Sequence, residues 1–160
     1  MEEAPPSFED FFDSTHEGLF RALCLMTGSR QEAEDVMQVA FMKVFERWDR
    51  VAAMERPDGF LYRVSMNEFR SRYRRAVRAM RRAAAPAETD DAFGAVEDRD
   101  VVIRALRTLS PHQRAAIVLT GLRGYSSEEA GRMLGMSAST VRALGTRARA
   151  AMRTAVGESR

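Results

Sequence analysis

The chain predicts an all-α fold, built as two small helical domains joined by a flexible linker. Three observations lead there. Helix-start signals recur along the sequence: Ser7 is followed three residues later by Asp10, Ser29 by Glu32, Ser110 by Gln113 and Ser126 by Glu129. A serine hydroxyl in such a position accepts from the backbone N–H three residues on, and an acid or amide there can reach back, so two orphan donors of a helix start are satisfied together. The last three pairs match that capping box, and Ser7–Asp10 is a weaker relative. Alternation of apolar and polar residues, the mark of half-buried strands, is nowhere sustained. Finally, the stretch AAAPAETDDAFGAVED carries few large apolar residues and much alanine and acid, the composition of a linker.

Each element follows in order. A first helix should run from about Phe8 to Thr27, closed by Gly28. A second, from about Arg30 to Trp48, has the clearest period: Ala33, Val36, Met37, Ala40, Phe41, Val44 and Trp48 form one wide apolar stripe. A third begins at Pro57, whose fixed φ suits a first helical turn, and continues to about Arg82. The linker covers 84–98, leaving 1–83 as one domain and 99–160 as the other. Beyond it lie a helix near Asp100–Leu109, one from Pro111 to Leu122, and two short helices joined by a turn at Gly135.

The bulk numbers narrow the class. With 45% apolar residues the 160-residue chain can build a core. No apolar run approaches the roughly 20 residues a bilayer demands, and the start MEEAPPSFED does not look like a signal peptide. The single Cys24, within LFRALCLM, reads as a small buried hydrophobe. A reducing cytoplasm fits all of this. His16 and His112 are the only histidines; no Glu-x-x-His pair, Gly-rich phosphate loop or serine nucleophile elbow accompanies them. Neither an enzyme nor a bound metal or cofactor is expected.

Charge is segregated sharply behind a net +2. Residues 1–50 hold 5 basic and 11 acidic side chains, 51–86 hold 9 and 3, 87–100 hold 1 and 6, and 101–160 hold 10 and 3. Two basic blocks around an acidic one indicate two surfaces for a polyanion. The first is FLYRVSMNEFRSRYRRAVRAMRR, with seven arginines between Arg70 and Arg82 and the aromatics Phe60, Tyr62, Phe69 and Tyr73 set among and before them. Arginines grip phosphates, and exposed aromatics stack unpaired bases. Taken singly the aromatics read as core, while the arginine cluster reads as a nucleic-acid surface.

The second block, GYSSEEAGRMLGMSASTVRALGTRARAAMR, reads as a helix-turn-helix. A helix over Ser127–Leu134 ends at Gly135, and Ser137 can cap the next, which carries Ser139, Thr140, Arg142, Arg147 and Arg149. In such units the second helix enters the major groove and its first turns meet base edges.

The chain is identified here as resembling the extracytoplasmic-function (ECF) sigma factors of the sigma-70 family. GSRQEAEDVMQVAFMKVFERWDRV resembles their polymerase-binding segment, RPDGFLYRVSMNEFRSRYRR their promoter-melting segment, and LSPHQRAAIVLTGLRGYSSEEAGRMLGMSASTVRALGTRARAAMR their reader of the upstream (−35) element. The resemblance implies docking of Glu34, Asp35, Gln38 and Phe41 on the clamp helices of the largest subunit of core RNA polymerase. It implies that Asn67 holds an extruded base of the −10 element, in a pocket completed by residues 55–59, and that Phe60, Arg63, Arg70 and Arg74 contact the same DNA. It further implies a linker threaded through the RNA exit path, and an anti-sigma factor as a possible partner.

The sequence departs from the family at several points. Phe60 stands where tryptophan is usual. Ala130 and Gly131 replace a larger apolar residue and an alanine. The usual VKSRL becomes VRALG, so Leu144 takes an arginine position and Gly145 a core leucine position, with Leu144 placed to assume the core contact. Two other readings remain on the sequence alone. A stand-alone helix-turn-helix transcription regulator would share the C-terminal pattern but leave the Arg-aromatic block unexplained, and an adaptor would bind polymerase without reading DNA.

Overall fold

The computed structural model describes residues 4–83 and 101–158, so the linker expected at 84–98 lies outside the described residues. Among those residues the elements are all helical: α1 (Phe8–Thr27), α2 (Arg30–Phe45), α3 (Trp48–Ala52), α4 (Pro57–Arg82), α5 (Val101–Arg107), α6 (Pro111–Ile117), α7 (Ser127–Leu134) and α8 (Ala138–Glu158). A wide π-type segment, Val118–Leu122, continues α6.

The serines start helices as their spacing requires. Ser7, Ser29, Ser110 and Ser126 each accept from the backbone N–H three residues on. The reciprocal half of the box, from the third-residue side chain back to the cap, forms at Gln113 and Glu129. Gly28 and Gly135 close α1 and α7 in the left-handed region, with φ of 72° and 65°.

Two expected boundaries change. The second helix stops at Phe45, and Trp48 opens the separate α3. Arg47 leaves helical geometry there, at φ −122° and ψ 22°. The break accompanies an aromatic cluster in which the Trp48 ring lies 5.0 Å from that of Phe11 and 5.6 Å from that of Phe8. Burying that much aromatic surface outweighs three further residues of regular helix. The last helix is also long, 21 residues, and not short as its sequence suggested.

One apolar cluster joins the two halves. Leu19, Leu23 and Met26 of α1, Val36 and Val44 of α2, and Leu61, Met66 and Phe69 of α4 meet Ala115, Ala116, Leu119, Leu134 and Val141 from the second half. A smaller cluster of Leu106, Leu109 and Ala148 fastens α5 to α8. Arg114, only 9% exposed, crosses the seam. Its Nε donates to the Met26 carbonyl at 3.0 Å and its Nη1 to that of Leu109 at 2.7 Å. The first is an orphan acceptor in the last turn of α1, so the guanidinium serves as its cap. Burial pushes the Arg114 pKa down, partly countered by Glu32. Among the described residues no helix is long and apolar enough to cross a membrane.

Candidate nucleic-acid and polymerase interfaces

The helix α4 divides its side chains by face. Leu61, Tyr62, Ser65, Met66 and Phe69 are buried, and the Ser65 hydroxyl turns back to the Leu61 carbonyl at 2.8 Å. Phe60, Arg63, Asn67, Arg70 and Arg74 recur three or four apart and so share another stripe. Arg63, Asn67 and Arg74 are exposed on it, whereas Phe60 and Arg70 are half-buried. Phe60 packs against the main cluster, and the Arg70 guanidinium lies against Gly135. The interleaved aromatics are therefore largely structural: Tyr62 and Phe69 are in the core, and Tyr73 meets His112 edge-on at 4.8 Å. From Arg74 to Arg82 five arginines project from the helix into solvent.

The C-terminal pair forms the expected helix-turn-helix. Gly131 is fixed by close backbone approach: a Cβ there would stand 2.6 Å from the Met136 carbonyl oxygen. The Met136 N–H meanwhile donates to the Gly131 carbonyl at 2.9 Å. The departure from alanine at 131 is thus matched to a crossing too close to admit a Cβ. At the start of α8, the Ser137 hydroxyl accepts from the Thr140 N–H at 3.2 Å and bonds the hydroxyls of Ser139 (2.9 Å) and Thr140 (2.8 Å). This trio sits at the positive end of a helix dipole, a favourable place for a phosphate.

Val141, Gly145 and Ala148 form the buried face of α8, with Leu144 half-buried against the main cluster. Leu144 thus makes the core contact that its position suggested. The polar candidates are split between flanks. Arg142 and Arg149, seven residues apart, share one edge, and Thr140 and Arg147 share the other. All four are exposed. Arg142 is engaged within the protein, its Nη1 3.4 Å from the Glu128 carboxylate of α7.

A third feature lies between α1 and α2. A concavity of about 920 Å³ is lined by Phe8, Phe12, Met37, Phe41, Met42 and Phe45, with Glu9, Asp13, Glu34, Asp35 and Gln38 at its edges. Its floor is an aromatic cluster; Phe41 lies 4.7 Å from Phe12 and 6.2 Å from Phe8. Of the four sequence candidates here, Glu34 and Gln38 are exposed, Asp35 is half-buried and Phe41 belongs to the core floor. Asp35 is also held internally: Gln31 Nε2 donates to it at 3.1 Å, and the Arg72 guanidinium lies 3.8 Å away. Met42 and Phe45, 59% and 61% exposed, were missed by the sequence reading. Their signal was available, since both are large apolar residues of α2 outside its buried stripe.

The loop before α4 meets the second half. The Arg56 guanidinium is 3.1 Å from Asp58 and 3.6 Å from Glu129. Burial works against a charged Asp58, yet hydrogen bonds from Arg56 and the Gly59 backbone hold its pKa below the usual range.

Comparison with known proteins agrees with this arrangement. Residues 11–79 match the family described as "Sigma-70 region 2", and residues 99–152 match "Sigma-70, region 4". The chain is 31% identical over 148 residues to the RNA polymerase sigma-E factor of Streptomyces avermitilis, covering 91% of this chain and 83% of that one. It is also 31% identical over 160 residues to the ECF RNA polymerase sigma factor SigM of Mycobacterium tuberculosis, covering 94% and 78%. Among solved structures, the sigma factor RpoE of Bartonella quintana, in complex with the anti-sigma factor NepR, superposes with a TM-score of 0.74 at 25% identity, covering 96% of this chain and 98% of that one. With both regions present in order, and relatives aligned over most of their length, the chain belongs to the sigma-70 family as an ECF RNA polymerase sigma factor, a DNA-binding factor for promoter-specific transcription initiation.

Proposed function

We propose that residues 1–83 dock on core RNA polymerase and capture the melted −10 element, that residues 99–160 read the −35 element as duplex, and that 84–98 tether the two. In this reading the α1–α2 groove is the polymerase contact, with Glu34 and Gln38 at its rim and Met42 and Phe45 as its apolar anchors. A groove with an apolar floor and an acidic edge suits a helix that presents apolar and basic side chains. Arg63, Arg70 and Arg74 hold the phosphates of the −10 strand, and Asn67 takes the extruded base. Ser139, Thr140, Arg142, Arg147 and Arg149 face the upstream duplex. The factor acts in the cytoplasm, beside its polymerase, and contributes no catalysis of its own. An anti-sigma factor is a further partner, as NepR is for the Bartonella quintana relative.

The observation that carries the DNA assignment is the α4 stripe. Its exposed Arg63, Asn67 and Arg74 stand opposite a fully packed face, so these polar groups do no work in the core. The test is run-off transcription with purified core polymerase on a pool of genomic fragments. Transcripts from a defined set of start sites, lost without this chain, are expected. A tight sequence-specific shift of duplex DNA by the free chain, without transcripts, would instead favour a stand-alone regulator.

A further inference from the structure

Glu68 follows Asn67 on α4, so its side chain leaves the helix about 100° round from the amide proposed to hold a base. It turns toward α2 and is only 12% exposed. Three cations face it. Lys43 Nζ approaches from α2 at 3.7 Å, and from α4 itself come Arg72 Nε at 2.9 Å and Arg75 Nη2 at 3.7 Å. Arg72 in turn reaches back to α2, its Nη1 3.8 Å from the Asp35 carboxylate. Salt screens partly buried pairs such as these less than fully exposed ones.

The two ties between the helices have opposite polarity. Asp35 of α2 meets a base of α4, and Lys43 of α2 meets an acid. Glu68 and Arg72 are four residues apart, about 6 Å along the axis. Sliding α4 by that distance one way would bring Glu68 to Asp35, and the other way Arg72 to Lys43. Both slips set like charges together, whereas the observed register matches both pairs. The packing beneath keys the register less firmly. Apart from Phe41, which meets the aromatics of α1, the buried face of α2 carries only alanine and valine, which form low ridges. Fixing a register is the best-attested use of charges held at such depth.

We propose that Glu68 is a positioning residue: it holds α4 in axial register with α2 and thereby sets where Asn67 meets the melted strand. Polymerase docked on the α1–α2 groove fixes α2 in space, so the strand it melts lies at a set distance from α2. Asn67 rides on α4, and a misplacement of about 1 Å can cost on the order of a hundredfold. The inference rests on the proposed reading of the groove as the polymerase contact and of Asn67 as the base-capturing residue.

The test is open-complex formation by the full chain with core polymerase, on an intact promoter and on templates that each carry one abasic site. The captured position is the one at which an abasic site removes the difference between wild type and Asn67→Ala. Glu68→Lys, which sets a fourth cation among three, should slow open-complex formation about tenfold on the intact promoter, the size of one lost base contact. Polymerase affinity should not change. On the template abasic at the captured position the variant should slow nothing further. Adding Lys43→Glu, which restores opposite charges across the helices, should recover most of the rate on the intact promoter. Glu68→Gln keeps the shape and loses only the charge, and should show the same template dependence at reduced size. Equal slowing on both templates overturns the proposal, because a general loss of folding acts without regard to the base. No slowing in either variant overturns it too, as does a rate that Lys43→Glu fails to recover. If no abasic position equalises wild type and Asn67→Ala, base capture falls and the register role with it. If such a position exists and both Glu68 variants ignore it, base capture stands and the register role alone fails.

Discussion

The guanidinium of Arg70 lies against Gly135, filling the space that a side chain on the helix-turn-helix glycine would need. One residue of the α4 stripe proposed to face DNA thereby packs, in this structure, on the turn between α7 and α8. Gly135→Ala meets two obstacles, a left-handed backbone at φ 65° and the Arg70 head group. It should destabilise the chain by about 1–2 kcal/mol from the backbone alone. Urea denaturation will show whether Arg70→Ala recovers part of the loss, as expected for neighbours that share a space.

In the proposed reading Arg142, within the first two turns of α8, is the leading candidate to meet a base edge. Arg142→Ala should flatten discrimination at one base position by roughly 1–3 kcal/mol. Because its Glu128 partner is exposed, the pair is worth at most about 1 kcal/mol, and melting should barely move. Arg153→Ala, farther along the same flank, should weaken all sequences alike and shallow the salt dependence by about one unit. Binding titrations of the polymerase complex against a promoter library at several salt concentrations separate the two.

Polymerase docking is best probed at Phe45. Phe45→Glu should weaken core-polymerase binding by about 2 kcal/mol, as loss of an interface anchor, while Asn67→Ala leaves that affinity unchanged and slows open-complex formation. Asp35→Arg is a poor probe, since it would place two cations together at Arg72. Equal loss of polymerase affinity in Asn67→Ala and Phe45→Glu would assign Asn67 to folding.

How much of this was legible in the sequence depended on whether the cause was local. Serine caps, the Pro57 and Pro111 starts and the Gly135 turn are fixed by neighbours three or four residues away, and the structure has them in place. The α2–α3 break was not legible, because Trp48 satisfies the period of α2 equally well. Only contact with Phe8 and Phe11, about forty residues earlier, decides its position. The candidate site divides the same way. The α4 stripe and the α8 flanks follow from helical spacing, whereas the engagement of Arg70, Asp35 and Arg142 depends on partners distant in sequence. Phe41 was read as a docking residue from its motif, and its place on the groove floor needed α1.

Gly145 offers a test of core space. It is buried, and the nearest atom to an added Cβ is the movable Arg149 guanidinium, at 3.3 Å. Gly145→Ala should therefore stabilise by up to about 1 kcal/mol, the helical penalty of glycine. Gly145→Leu should gain no more than that, because Leu144 already makes the neighbouring core contact. Thermal melts of the two variants side by side check the order.

His112 sets a pH dependence. It is half-buried in the seam, 4.8 Å from the Tyr73 ring and 6.4 Å from that of Phe69. Burial first, and then the charge of Arg70, lower its pKa from the ordinary 6.5. The folded chain therefore takes the neutral ring, and the unfolded chain binds the proton more readily. The associated stability is fully present above pH 6.5 and is lost as pH falls through that value toward the lower folded one. His112→Phe should flatten this part of the profile in denaturation series from pH 8 to pH 5.

The wide segment Val118–Leu122 has a consequence for the tolerance of this fold to insertions and deletions. The wide turn already holds one residue more than an α-helical turn, so a single deletion would return it to regular helix, whereas a second would rotate everything that follows by about 100°. Arg123 would swing off the Tyr62 ring and Tyr125 away from Asp58. The helix-turn-helix could still assemble on its own caps, yet it would present another side to α4. Length within these five residues, more than their identity, thus sets the relative phase of the two halves.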